Sequence, residues 1–102
     1  MEFFRLVIKP SEHDPSTVEA ALRRAWNACA EVGCPKPNCR AKPWEYCRNK
    51  LGGVWVVTQF HKPRQDAANT LDITRPVGIG GLRWARPTNY SMEWASQRVP
   101  QI

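Results

Sequence analysis

Apolar and polar residues alternate at the start of the chain, with Phe4, Leu6 and Ile8 on one side and Arg5, Val7 and Lys9 on the other. This period-two pattern predicts a strand from Phe3 to Lys9 with one buried face, ended by Pro10. The period then changes. Val18, Leu22, Ala25, Trp26, Cys29 and Val32 fall on one stripe at helical spacing, with Glu19, Arg23 and Asn27 away from it, so the pattern predicts a helix over 17–32 that Gly33 closes. Two compatible signals start it: Asp14 as N-cap before Pro15, or Ser16 with Glu19 as a capping box. Glu19 and Arg23 are placed to pair across one turn.

Gly53 to His61 is the second predicted strand, because Val54-Trp-Val-Val-Thr-Gln-Phe60 is rich in β-branched and aromatic residues. His61 stands at its end. Lys62 to Pro76 shows no period and is expected to be loop. Val77 to Arg86 is a candidate third strand bent at its glycines; Gly78, Gly80 and Gly81 precede no Lys-Ser/Thr, so turn or bulge is favoured over a phosphate cradle. The region 89–98 is either a short helix that stacks Tyr90, Trp94 and Arg98 or an extended arm.

These elements define one α+β domain over 1–102: a small β-sheet built from the first strand and the 53–61 strand, one main helix, and, where Cys34, Cys39 and Cys47 stand at short intervals among Pro and Gly, a zinc knuckle inserted between helix and second strand. Strand and helix occupy 1–33, knuckle and strand 34–64, and loop, third strand and tail 65–102. A chain of 102 residues buries roughly two-thirds of its unfolded surface, so a metal staple would add materially to a modest core. Nine prolines and a mean hydropathy of −0.53 imply many loops and a polar exterior.

No apolar run approaches the roughly 20 residues of a membrane span, and Met1-Glu-Phe-Phe-Arg5 lacks the pattern of a secretion signal. The expectation is a soluble, cytoplasmic protein, in whose reducing surroundings cysteines are free or metal-bound rather than paired.

The candidate chemistry lies in 34–64, which holds three of the four cysteines and one of the two histidines. Thiolate and imidazole are the ligands zinc prefers, and Cys34, Cys39, Cys47 and His61, separated by Pro and Gly, can close a tetrahedral site. Cys29 is the alternative ligand, in a four-cysteine set that leaves His61 free; on the helix stripe it reads first as a small buried hydrophobe. His13, in a turn, is read as solvated. With no open position, no Glu beside a histidine ligand and no paired carboxylates, the zinc is expected to be structural, with no catalytic residues and no enzyme. A Cys47 nucleophile activated by His61 would lack an orienting partner.

The same stretch carries the charge. Seven basic residues between Lys36 and Arg64 face one acid, Glu45, a net of +6 that equals the formal charge of the whole chain. Two functional classes follow. In the first, Lys36, Arg40, Lys42, Arg48, Lys50, Lys62 and Arg64 meet nucleic-acid phosphates while Trp44, Tyr46 or Trp55 stacks on bases. In the second, the chain is an interaction factor that docks a Trp-rich surface on another protein through Tyr90, Trp94 and Arg98.

The string Cys39-Arg-Ala-Lys-Pro-Trp-Glu-Tyr-Cys47, preceded by Cys34-Pro and followed by a Gly and His61-x-x-Arg64, resembles the small zinc-binding, zinc-finger-like domains of actinobacteriophage and related bacterial proteins. Their pattern runs Cys-Pro-x-Cys-Gly-Ala-x-Pro-Gly-x-x-Cys, then Gly, then His-x-x-Arg. Cys34, Cys39, Cys47 and His61 take its ligand places, and Ala41, Pro43 and Arg64 its supporting ones. Four residues rather than two separate the first cysteines, and Arg40 and Trp44 stand where the pattern has glycine. The resemblance covers about thirty residues. It implies a phage or bacterial origin, a DNA-associated role in the host cytoplasm, and, for the second class, an inhibitor of a host or defence complex acting in host takeover, or a virion component.

Overall fold

The computed structural model describes residues 11–85, 94 and 97–102, together with the backbone of Arg5 and Leu6. Its elements are β1 (Arg5–Leu6), α1 (Pro15–Val32), β2 (Arg48–Leu51), β3 (Val54–Val57), α2 (Lys62–Ala67), α3 (Thr70–Thr74), a 3-10 turn (Arg75–Val77) and β4 (Trp84–Ala85). This is the expected small α+β fold, with one long helix as its spine. No helix among the described residues is long and apolar enough to cross a membrane.

Helix α1 starts by the first of the two signals. The Asp14 carboxylate accepts from the Ser16 and Thr17 backbone N–H groups, and Pro15 stands where no N–H is needed. Val18, Ala21, Leu22, Ala25, Trp26, Cys29 and Ala30 are its buried side, whereas Val32, predicted on the stripe, is 46% exposed because the helix ends there. Glu19 and Arg23 pair at 2.8 Å, at the surface.

Gly33 takes φ +66 and ψ 176, a conformation essentially restricted to glycine. A Cβ there would lie 2.8 Å from the Ala41 carbonyl, the same oxygen that accepts from the Cys34 N–H. The helix end thus presses directly on the cysteine loop.

The sheet differs from expectation. The first strand and the 53–61 strand do not pair; β1 pairs antiparallel with β4, and β3 with β2, giving two separate two-stranded ribbons. Gly52 and Gly53, at φ +58 and +84, supply the positive φ angles of a two-residue hairpin turn. The local pairing they permit closes at a smaller entropic cost than a distant one. The second strand is correspondingly short and ends at Val57, so His61 is not strand-terminal; it is the N-cap residue of α2. The rest of the predicted 3–9 strand lies outside the described residues.

A second correction concerns 62–76, which is helical rather than loop. Asn69 joins α2 to α3 in the left-handed conformation, φ +56, which asparagine tolerates better than most residues. Gln65 ties the region together: its side chain donates to Phe60 O and accepts from Leu82 N–H, while its own carbonyl accepts from Thr70 Oγ1. Gln59 does the same for the next segment, bonding both the N–H and the carbonyl of Trp84 as a neighbouring strand would.

The core is aromatic. Trp26, Phe60 and Trp84 meet edge to face at 4.6–5.2 Å between ring centroids, and Tyr46 joins Trp26 at 6.3 Å and Trp84 at 6.1 Å. Residues 97–102 return over this core. Trp26 Nε1 donates to Pro100 O at 2.7 Å, Ile102 N–H to Asn27 Oδ1 at 3.0 Å, and Val99 N–H to Trp44 O at 3.0 Å. The expected 89–98 helix lies mostly outside the described residues; Arg98 forms an isolated antiparallel bridge with Glu45.

Candidate metal centre

Each half of the cluster is set by a turn. In the first, the Cys39 and Arg40 N–H groups both bond the Lys36 carbonyl, and Arg40 takes φ +52. In the second, Lys42 N–H bonds the Glu45 carboxylate, Glu45 N–H bonds Lys42 O, and Trp44 takes φ +66. Arg40 and Trp44 are the two positions where the resembled pattern carries glycine, and both adopt the left-handed backbone that glycine enters without strain.

These turns, the start of β2 and the N-cap of α2 bring Cys34, Cys39, Cys47 and His61 together, with all four ligand atoms within 4.8 Å of one another. Cys34 Sγ lies 3.5 Å from His61 Nδ1. Bond lengths of about 2.3 Å to sulfur and 2.0–2.1 Å to nitrogen in a tetrahedron place ligand atoms about 3.5–3.8 Å apart, so the group needs only a small contraction to hold an ion. The three sulfurs are buried and unpaired, and the imidazole is half-buried. Cys29 lies outside the group, fully buried in the core, where burial pushes its thiol up to about 12.

Backbone N–H groups point at two of the three sulfurs. Arg48 N–H points to Cys39 Sγ and His61 N–H to Cys47 Sγ, each at 3.4 Å. The Cys47 thiol donates to Cys39, and with the N–H groups of Arg48 and Ala41 holds the Cys39 thiol down at about 4. Donating to Cys39 and being buried push Cys47 up, and burial raises Cys34. Asn49 Oδ1 lies 3.1 Å from His61 Nε2. Accepting the Nε2 proton, it leaves the Nδ1 lone pair facing the sulfurs, as the outer partner of a metal-bound histidine does.

Arg64 corrects an expectation. It is 0% exposed and meets no phosphate at the surface. Nε donates to Cys29 O at 2.7 Å, Nη1 to Glu45 O at 2.7 Å and Nη2 to Ala30 O at 3.1 Å, and Nη1 lies 3.5 Å from Cys47 Sγ. Helix α1 has no basic residue in its last turn. Arg64 supplies that charge from elsewhere in the chain, at the negative end of the helix dipole.

Three of the other basic residues surround a groove of about 870 Å³ between the cysteine loop and the β2–β3 hairpin. Lys36 lines one wall; Arg48 and Lys50 line the other with Leu51 and Trp55, and no carboxylate is among the lining residues. Arg48 is held in place: Nε bonds Cys39 O at 2.9 Å, and the guanidinium lies 4.7 Å from the Trp55 ring centre and 4.3 Å from that of Trp94. Arg40 and Lys42 are exposed on the loop away from the groove, and Lys62 pairs with Asp66 at 3.2 Å.

The aromatic residues divide sharply. Tyr46, Trp26 and Trp84 are buried, Trp44 and Trp94 are half-buried, and Trp55 is 37% exposed. Trp94 donates Nε1–H to Tyr46 O at 2.7 Å. Arg98 is exposed, and Tyr90 lies outside the described residues. The glycines of 52–53, absent from the site prediction, are what aim β2 and β3 at the groove; adjacent glycines just before the apolar run Val54-Trp-Val-Val57 are a turn signal in the sequence itself.

In comparisons with known proteins, no family model, no curated protein and no solved structure matches this chain. Function therefore has to be read from the site.

Proposed function

We propose that the chain is a small structural-zinc protein that binds nucleic acid through the groove beside its metal centre. Zinc suits the donor set: three sulfurs and an imidazole are its preferred ligands, and four protein ligands leave no open coordination position. Three thiolates and a neutral imidazole around a divalent cation carry a net charge of −1, which the buried Arg64 and the N–H groups on the sulfurs offset. The metal holds the loop and the hairpin together and takes no part in a reaction.

The observation that carries the nucleic-acid reading is the groove, where Lys36, Arg48 and Lys50 converge with Trp55 and no acid is among the described lining residues. Arg48 links groove to metal, because its N–H and Nε bond the sulfur and carbonyl of Cys39. The alternative, a protein-interaction factor of phage type, draws support from the hairpin end, where Leu51 and Val54 are 70% and 54% exposed. Most of the tryptophans face inward, however, which leaves that reading a small surface.

Binding of labelled nucleic acid, measured against salt with zinc-loaded and chelator-treated protein, separates the two. Neutralising three phosphates predicts a log–log salt slope of about −2 to −3, lost when the metal is removed. Binding that is insensitive to both salt and chelator would rule out the reading.

A further inference from the structure

We infer that the groove selects single-stranded over double-stranded nucleic acid, with Trp55 as the ring on which a base stacks; this rests on the nucleic-acid reading above. Three features support it. Trp55 is the only tryptophan among the described residues classed as exposed, and it lines the groove rather than the convex surface. The Arg48 guanidinium lies over its ring at 4.7 Å and the Lys50 ammonium at 5.7 Å, so a base stacked on the ring surface they leave open would have two cations beside it for its phosphates. Arg48, Lys50 and Trp55 share one face of the β2–β3 ribbon, since Lys50 pairs with Trp55 and Arg48 stands two residues before it, whereas Leu51 and Val54 point to the other face.

A duplex keeps its base faces stacked and offers only groove edges and a convex rim of phosphates. It can reach surface lysines, but it has no free base face to lay against a tryptophan. A single strand exposes both base faces and a flexible phosphate chain, and matches a concave wall of mixed cationic and apolar character. Arg48 stays fixed by Cys39 O and the Trp94 ring, so the stacking site is formed before the strand arrives.

The probes are fluorescent oligonucleotides of about 16 nucleotides, the upper site size for such grooves: one DNA strand, the RNA strand of the same sequence, and the DNA duplex. Anisotropy is read between about 50 and 200 mM salt. The single strands are expected to bind at least tenfold more tightly than the duplex. Trp55→Ala weakens them roughly tenfold and weakens the duplex far less, with zinc content retained, while Trp55→Phe restores most of the loss. Lys50→Gln flattens the single-strand salt slope by about 0.7. Comparing the DNA and RNA strands shows whether the 2′-hydroxyl is read. Duplex binding as tight as single-strand binding, or Trp55→Ala without effect on either, would overturn the inference while leaving the nucleic-acid reading intact. Absence of salt-sensitive binding to all three probes would overturn both.

Discussion

Replacing Arg64 by methionine keeps most of its volume and removes its charge and its donors. Two acceptors then lose the donor that Arg64 gives them: Cys29 O at the end of α1, and Glu45 O in the cysteine loop. Ala30 O keeps a bond from Trp44 N–H at 2.7 Å. An unsatisfied buried acceptor costs about 1–3 kcal/mol, and the Cys47 sulfur loses a neighbouring positive charge. Against this stands relief from burying a guanidinium, which offsets part of the loss at the two acceptors. We expect Arg64→Met to destabilise the zinc-loaded protein by about 4 kcal/mol, a fall of about 2 M in the urea midpoint for a slope near 2 kcal/mol/M. Arg64→Lys keeps the charge without the planar fork and should fall between. Tryptophan fluorescence reads the transition, since Trp26 and Trp84 lie in the core. A midpoint within about 0.5 M of the unaltered protein, combined with weaker nucleic-acid binding, would refute the reasoning and return Arg64 to the phosphate-contacting set.

The remaining predictions use different parts of the molecule. Native mass spectrometry should find one zinc per chain, lost in Cys34→Ser and His61→Ala but kept in Cys29→Ser; retention in the first two would mean that another ligand set holds the metal. Cys29, raised by burial from 9.0 to about 12, stabilises the fold fully below pH 9 as a neutral thiol, and that contribution declines as pH rises toward 12. The slope reaches up to about 1.4 kcal/mol per pH unit, and alkaline unfolding curves of Cys29→Ala should show it flattened; parallel curves would contradict the burial argument. Thr74 is fully buried with Oγ1 unbonded, so Thr74→Val should stabilise by about 1 kcal/mol, and a loss of thermal stability would reveal a partner for the hydroxyl. Gly33→Ala sets a Cβ against Ala41 O in a glycine-only conformation and should cost about 3 kcal/mol, measured by urea denaturation; a neutral result would mean that the helix end and the loop can separate.

The Cys34, Cys39, Cys47 and His61 cluster was legible because a potential metal site leaves a local trace: sulfur and imidazole at short intervals, punctuated by Pro and Gly. The α1 stripe was legible for a similar reason, since one periodic face was long enough to outweigh chance. The pairing of strands was not, because Phe4, Leu6 and Ile8 alternate equally well against any partner. Helices α2 and α3 carry no stripe at all. Their stability comes from Gln65 and Thr70 bonding across the turn and from α3 packing on α1, contacts that exist only in three dimensions. By its charge Arg64 reads as a surface phosphate contact, although its place in His61-x-x-Arg64 also marks it as a supporting residue. Nothing local shows that three carbonyls converge on it from residues 19 to 35 positions away.

The bond from Trp26 to the Pro100 carbonyl spans 74 positions of the chain. At translation rates of about 5–20 residues per second, Pro100 is added roughly 4–15 seconds after Trp26. For that interval α1 and the cysteine loop can take shape while one edge of the largest core ring stays uncovered. Cys34, Cys39, Cys47 and His61, all added before residue 62, can therefore gather before the core is complete, so that if they hold a metal its supply during synthesis would bear on yield.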